Sequence, residues 1–203
     1  MTWVKICGMT SHEAVEAAVT GGADALGLVL AQDSPRALTI EQARDLADGV
    51  PIAMFIVTVD SAPGEALQAA EQVGATGIQA HGHRSLDVAA EATEAGYLSI
   101  TPIPVGADGG TIDLAEIPSS SLPLFDTASA DHHGGTGVTF DWALIPDPGR
   151  PFILAGGLGP DNVAEAIEVV HPFGVDASSR LESEPGVKDP ARIVAFIEQA
   201  KQQ

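Results

Sequence analysis

The chain of 203 residues contains a single cysteine, Cys7, and only 9 lysines and arginines against 28 aspartates and glutamates. One cysteine excludes an internal disulfide bond and a zinc site built from several thiolates. The net charge of −19 opposes binding to nucleic acid or to an anionic membrane, because both partners need a basic face. We therefore expect neither partner.

Long apolar runs and aromatic residues are also scarce. No run approaches the roughly 18 consecutive apolar residues of a membrane-spanning helix, and the first residues lack the pattern of a secretory signal. Together with the lone cysteine, these absences predict a cytoplasmic protein. Aromatics make up 4% of the chain and hydrophobic residues 45%, which predicts a core packed mainly with Val, Ile, Leu and Ala.

What the chain does have is a regular alternation of short apolar runs with Ala- and Glu-rich stretches of helical period. The candidate strands are WVKIC, ALGLVL, IAMFIV, GIQA, YLSIT, PLFDT, FILAG and FGVDA. Strands separated by helices form parallel sheets, and eight units of about 25 residues favour closure into a barrel. The sequence therefore predicts an α/β fold: one (β/α)8 TIM-barrel domain over residues 1–203, with a parallel eight-stranded barrel.

Residues that cap helix ends mark several helix boundaries. Thr10–Glu13 and Thr39–Gln42 have the spacing of a capping box, and Pro160 suits a first helical position. The Pro-, Gly- and Ser-rich region 102–122 has weak periodicity. We therefore expect the fifth helix to be short or irregular.

Polar residues that packing does not require end several of the predicted strands. In a barrel of this kind, reactive groups lie where the strands end and the following loops begin. The candidates at these positions are Lys5, Cys7, Arg36, Gln79, His81, Asp126 and Asp176.

Cys7 has two interpretations when it is considered alone. A free cysteine is more often a small buried apolar residue than a nucleophile or base. A thiol titrates at about 8.5, so a thiolate needs a neighbouring cation. Lys5 projects to the same side of the strand and could supply that cation or bind substrate itself. Asp126 could likewise be a loop cap, and His81 could satisfy a backbone group.

Three glycine- and serine-rich segments, GGTG at 134–137, AGGLGPDN at 155–162 and DASSRLES from 176, predict an anion site. Glycines let backbone amides approach a phosphate closely, and barrels often bind phosphate after strands seven and eight. The candidate phosphate-binding residues are Gly135, Gly156, Gly157, Ser178 and Ser179. The pair His132 and His133 lacks the spacing of a helical metal site, and we expect no metal.

In order along the chain stand VKICGMT, GADALGLVL with DSPRALT, QAHG, LFDT, GGTGVTFDW, LAGGLGPDNV and GVDASSRLE with PGVKDP. Together these motifs resemble the phosphoribosylanthranilate isomerase family of tryptophan biosynthesis, over nearly the whole chain. The resemblance implies a cofactor-free Amadori rearrangement. In that reaction the aminoaldose phosphoribosylanthranilate becomes the aminoketose 1-(o-carboxyphenylamino)-1-deoxyribulose 5-phosphate.

The same resemblance implies roles for individual residues. Cys7 would be the general base and Asp126 the general acid. Arg36 would contact the anthranilate carboxylate, Asp176 would lie near the sugar hydroxyls, and the loops after strands seven and eight would hold the phosphate. Arg180 departs from the family pattern, in which SSG is usual. It would either shift the phosphate-binding amides or fold its guanidinium over the phosphate.

The expected small-molecule partner is thus a phosphosugar. The chain would be a monomer or a homodimer, and an indole-glycerol-phosphate synthase is a candidate partner. Two other functions remain open. The related histidine-pathway ProFAR isomerases use aspartates as both acid and base, which Cys7 at the first strand disfavours. A non-catalytic barrel that binds phosphorylated ligands is the second alternative.

Overall fold

Eight strands and six α-helices organise the described part of the chain. The structure is a computed structural model and describes residues 1–106, 109–110, 112–127, 142, 145 and 148–203. The strands are β1 (Trp3–Cys7), β2 (Ala25–Val29), β3 (Ala53–Val59), β4 (Gly77–His81), β5 (Leu98–Gly106), β6 (Ser121–Thr127), β7 (Ile153–Leu154) and β8 (Gly174–Ala177). All eight predicted strands are present.

The strands form a closed parallel barrel. Each strand pairs in parallel with the next one along the chain. The last strand, β8, pairs with β1, so that Trp3 lies opposite Gly174 and Lys5 lies opposite Asp176. This closure confirms the predicted (β/α)8 barrel.

Helices follow most of the strands and cover the outside of the barrel. They are α1 (His12–Gly21), α2 (Ile40–Ala47), α3 (Pro63–Val73), α4 (Ser85–Glu94), α5 (Val163–Val170) and α6 (Pro190–Lys201). After β5 there is one 3-10 turn, Leu114–Glu116, which agrees with the expected irregular fifth helix. After β8 come a second 3-10 turn, Ser179–Leu181, and an antiparallel hairpin of Glu182–Glu184 with Val187–Lys188.

Two of the predicted helix starts are wrong. The capping box at Thr39–Gln42 is present, but Ser11 rather than Thr10 caps α1. Thr10 instead donates its hydroxyl hydrogen to the carbonyl oxygen of Gly186 at 2.7 Å, which fastens the hairpin to the β1 turn. Pro160 is not the first residue of a helix, because α5 begins after it.

The main hydrophobic core lies between the barrel strands and the helices around them, where buried aliphatic residues of both pack together. A second cluster, which includes Phe55, Ile100, Leu124 and Ile153, fills the lower part of the barrel. Side chains two residues apart on a strand point to the same side of the sheet. The Lys5 side chain therefore points into the barrel, as the Cys7 side chain does. None of the described helices is long and apolar enough to cross a membrane.

Candidate active site

A pocket open to solvent lies at the carboxyl ends of the strands. Most of the predicted site residues line it: Cys7, Arg36, Gln79, His81, Asp126, Gly156, Gly157, Asp176, Ser178 and Ser179. Lys5 does not line the pocket, because its side chain is completely buried below it. Gly135 lies outside the described residues.

Cys7 is the last residue of β1 and is both largely buried and part of the pocket wall. Only 8% of the residue is exposed, and it packs with Val29 and Val57. Gly27 on β2 makes room for it, since a Cβ atom at Gly27 would lie 2.8 Å from the Cys7 Sγ atom. The thiol therefore occupies a space that the neighbouring strand leaves open.

Lys5 and Asp176 form an ion pair at the base of the pocket. Lys5 Nζ donates to Asp176 Oδ2 at 2.8 Å. The other carboxylate oxygen of Asp176, Oδ1, is buried and has no hydrogen-bond partner among the described residues. Because Asp176 lines the pocket, this oxygen can accept a hydrogen bond from a ligand hydroxyl.

Burial and the positive charge of Lys5 shift the pKa of the Cys7 thiol in opposite directions. Burial raises the pKa of Cys7, and the positive charge of Lys5 offsets only part of that rise. Burial alone would lower the pKa of Lys5, but its interactions with Asp176 and Cys7 together outweigh burial and leave the pKa raised, so the ammonium stays charged. At neutral pH Cys7 is therefore mostly a thiol beside a fixed cation.

Asp126 reaches the pocket from the other side of the barrel. It lies near the end of β6, opposite Pro104 of β5, and is half-buried. In the barrel order β7 and β8 separate β6 from β1 on one side, and four strands separate them on the other. Cys7 and Asp126 therefore line the same pocket from well-separated strands.

Gln79 and His81, both on β4, form a polar pair in the wall. The Gln79 Nε2 atom lies 2.9 Å from the His81 Nε2 atom. The Gln79 Oε1 atom is buried and has no hydrogen-bond partner among the described residues. This oxygen is a second acceptor that a ligand in the pocket can use.

The loops after β7 and β8 present backbone N–H groups to the pocket. Gly156 and Gly157 have φ values of 88° and 64°, which only glycine adopts without strain. In the described part of the chain, the N–H groups of Gly156, Gly157 and Ser179 donate to no protein acceptor outside the helices and strands. Unused N–H groups beside an open pocket are suited to an anion.

Arg180 joins these two loops to each other. Its Nη2 atom donates to both carboxylate oxygens of Asp161, at 2.7 and 2.6 Å. Its Nη1 atom donates to the carbonyl oxygen of Gly157 at 3.1 Å. In this structure the guanidinium is therefore held by protein acceptors on the β7 loop.

Two charged residues that the sequence prediction missed lie behind the pocket. Glu182 pairs with Arg36, with Nε to Oε1 at 2.6 Å and Nη2 to Oε2 at 2.8 Å. Lys188 Nζ donates to the same Glu182 Oε1 atom at 2.6 Å. Both residues stand in the motifs RLE and GVKD, but nothing in the local sequence indicates that they meet Arg36.

Part of the pocket wall is apolar. The side chains of Val29, Ala31, Val57 and Val59, from β2, β3 and the loop after β2, line it. Arg36 follows the same loop and lines the pocket as well. An arginine beside an aliphatic wall suits a ligand that has an aromatic ring and a carboxylate.

Comparison with known proteins gives one result across the whole chain. The sequence model of the family described as N-(5'phosphoribosyl)anthranilate (PRA) isomerase matches residues 4–199. A curated relative, the N-(5'-phosphoribosyl)anthranilate isomerase of Halorhodospira halophila, is 41% identical over 198 residues, which are 97% of this chain and 95% of the relative.

Solved structures agree with the sequence comparison. The phosphoribosyl anthranilate isomerase from Thermotoga maritima has a TM-score of 0.87 at 35% identity, with 100% of both chains covered. A phosphoribosyl anthranilate isomerase in complex with reduced 1-(o-carboxyphenylamino)-1-deoxyribulose 5-phosphate has a TM-score of 0.83 at 33% identity, again over 100% of both chains.

Proposed function

The chain belongs to the N-(5'-phosphoribosyl)anthranilate isomerase family of tryptophan biosynthesis, and we propose that Cys7 and Asp126 are the general base and general acid of its reaction. The reaction is the Amadori rearrangement of N-(5'-phosphoribosyl)anthranilate to 1-(o-carboxyphenylamino)-1-deoxyribulose 5-phosphate. One observation carries the proposal: a thiol and a carboxyl group face the same pocket from well-separated strands of the barrel.

The first step opens the sugar ring. Asp126, in its protonated form, donates a proton to the ring oxygen while the bond between that oxygen and C1′ breaks. The anthranilate nitrogen supplies the electron pair, so an iminium forms between nitrogen and C1′. General acid catalysis is needed here because the departing oxygen is otherwise a poor leaving group.

The second step moves a proton away from carbon. The iminium withdraws electrons and acidifies the C2′ hydrogen, which the Cys7 thiolate removes. The resulting enolamine takes up a proton at C1′ and loses the proton of its C2′ hydroxyl group, which gives the ketone without any net oxidation or reduction of the substrate. The positive charge of Lys5, which lies near the thiol, lowers the pKa of Cys7 and so stabilises the thiolate form.

The two ends of the substrate match the two polar ends of the pocket. We assign the anthranilate ring to the apolar wall and its carboxylate to Arg36. The phosphate goes to the loops after β7 and β8, at Gly156, Gly157, Ser178 and Ser179. Between the ends, the free acceptors of Asp176 and Gln79, together with His81, face the sugar hydroxyls.

The test is a turnover assay with freshly generated phosphoribosylanthranilate, followed by the loss of its fluorescence. We expect turnover by the parent protein and a loss of at least about a hundredfold in kcat for Cys7→Ala and for Asp126→Ala. Circular dichroism would establish that the variants are folded. No turnover by the parent would reject the isomerase activity and favour a non-catalytic phosphate-binding barrel. Full turnover by both variants would reject only the assigned acid and base.

A further inference from the structure

Glu182 is a buried carboxylate that holds two cations at once. It accepts two hydrogen bonds from Arg36 and one from Lys188, and only 4% of its side chain is exposed. Burial alone would raise the pKa of Glu182, but the hydrogen bonds from Arg36 and Lys188 outweigh it and lower the pKa. The carboxylate is therefore ionised at neutral pH and bridges the two side chains.

Lys188 extends this bridge to the β8 loop. Besides Glu182, its Nζ atom donates to the carbonyl oxygen of Ser178 at 3.0 Å and to the Ser178 hydroxyl at 3.3 Å. These three bonds use all the hydrogens of the ammonium. A continuous chain of contacts thus runs from Arg36 through Glu182 and Lys188 to Ser178.

Arg36 and Ser178 also approach each other closely at the β1 turn. A Cβ atom at Gly8 would lie 2.4 Å from Arg36 Cδ and 3.1 Å from the Ser178 Oγ atom. The turn therefore leaves no room for another side chain between the two. The bridge through Glu182 and Lys188 is a second connection between them.

The pairing with Glu182 also orients Arg36. The ion pair uses the Nε and Nη2 atoms of Arg36. The Nη1 atom of Arg36 has no protein partner in the described part of the chain. A guanidinium held along one edge presents its remaining N–H groups in a fixed direction. Without Glu182, the long arginine side chain would lose this orientation, and two buried cations would face each other uncompensated.

We propose that Glu182 is a positioning residue that sets the separation of the two anion-binding ends of the pocket, Arg36 for the carboxylate and the β8 loop at Ser178 for the phosphate. The inference rests on the proposed function. Glu182 itself does not line the pocket, so it acts on the substrate only through these two residues.

The experiment compares Glu182→Gln with Glu184→Gln, an exposed neighbour on the same hairpin strand. We expect Glu182→Gln to raise KM about tenfold with kcat within about threefold, because it misplaces binding groups remote from the reacting atoms. Glu184→Gln should match the parent. An unchanged KM in folded Glu182→Gln, or a loss confined to kcat, would overturn the inference.

A double-mutant cycle separates positioning from a general structural effect. In an Arg36→Ala background, Glu182→Gln should raise KM by less than it does alone, since one of the two groups through which it acts is missing. Additive effects on KM would contradict the proposal. If Glu182→Gln does not fold, Glu182→Asp takes its place. The shorter aspartate side chain cannot bind Arg36 and Lys188 at the same time, so an unchanged KM in Glu182→Asp would also contradict the proposal.

A binding arm distinguishes this inference from the proposed function. Calorimetry would measure the affinity of the parent and of each variant for reduced 1-(o-carboxyphenylamino)-1-deoxyribulose 5-phosphate, the compound bound in the related isomerase. If the parent protein neither binds this compound nor turns over substrate, both the proposed function and this inference are rejected. A competent parent, with Glu182→Gln equal to it in both KM and affinity, would sink only the role of Glu182.

Discussion

The ammonium of Lys5 lies 2.8 Å from the Oδ2 atom of Asp176, and side-chain exposures of 0% and 7% make this a buried ion pair. Asp176 lines the pocket, whereas Lys5 lies below it. Lys5 therefore compensates a carboxylate that faces the ligand and also places a positive charge beside the Cys7 thiol. One cation serves both groups at the base of the pocket.

Replacing Lys5 with methionine should cost much stability. The substitution leaves Asp176 buried without its ion-pair partner, and breaking such a pair typically costs about 3–5 kcal/mol. Urea denaturation at neutral pH would measure the change in the free energy of unfolding. Lys201→Met is the matched control, because its partner Asp24 is about one-third exposed and such pairs contribute about 1 kcal/mol or less. Equal losses in the two variants would contradict the importance of burial.

The Cys7 thiol should react at a higher pH than an ordinary thiol. Burial raises the pKa of Cys7 despite the opposing effect of Lys5. The thiolate therefore forms mainly beyond the ordinary thiol pKa of about 8.5, and the rate of alkylation of this single cysteine by iodoacetamide should still be rising there. The pH dependence of kcat/KM should not follow the thiolate alone, because the proposed reaction also needs Asp126 in its protonated form. An alkylation rate that levels off below about pH 8.5 would contradict the raised pKa.

Gly27→Ala tests whether the open space beside the thiol matters. The new Cβ atom would lie 2.8 Å from Cys7 Sγ and 3.3 Å from Lys5 Nζ, so the thiol must move. A small displacement of a reacting group lowers kcat by about a hundredfold in many enzymes, and we expect a loss approaching this with a smaller change in KM. The control is Gly64→Ala in α3, where the added Cβ would meet nothing within 4 Å. Comparable kcat values for Gly27→Ala and Gly64→Ala would show that the space beside Cys7 does not matter for turnover.

The barrel could be predicted from the sequence because its determinants are local. Each strand is a short apolar run, and each is bounded by residues that end helices or form turns. The same reasoning located Cys7 and Asp126, since polar residues at strand ends meet in a barrel. The first helix start was mispredicted because Thr10 and Ser11 can both cap a helix, and a contact between Thr10 and distant Gly186 decides between them.

Other parts of the site depend on contacts between residues far apart in the chain. Glu182 and Arg36 are 146 positions apart, and their side chains meet only after the barrel has closed. No periodicity or spacing in one sequence records such a pair. The roles of individual residues, the oligomeric state, the cytoplasmic location and a partner synthase stay predictions.

Arg180→Ala should weaken phosphate binding. Arg180 ties the β8 loop to the β7 loop through Asp161 and the carbonyl of Gly157, whose N–H we assign to the phosphate. Loss of this tie leaves the two loops free to move apart, so competition by inorganic phosphate should weaken by roughly threefold to tenfold. Because the pair with Asp161 is partly exposed, at 30% and 66%, stability should change by only about 1 kcal/mol or less.

Asp161→Ala tests whether Arg180 acts through this pair rather than by contacting phosphate directly. If it acts through the pair, Asp161→Ala should weaken phosphate competition as much as Arg180→Ala, and the double variant should be no worse than either single one. Arg44→Ala is the matched control, since Arg44 is an exposed arginine on α2, away from both loops. An inhibition constant unchanged in Asp161→Ala but raised in Arg180→Ala would instead indicate that the guanidinium reaches the phosphate itself. Tighter phosphate binding in Arg180→Ala would mean that the arginine distorts the loops it joins.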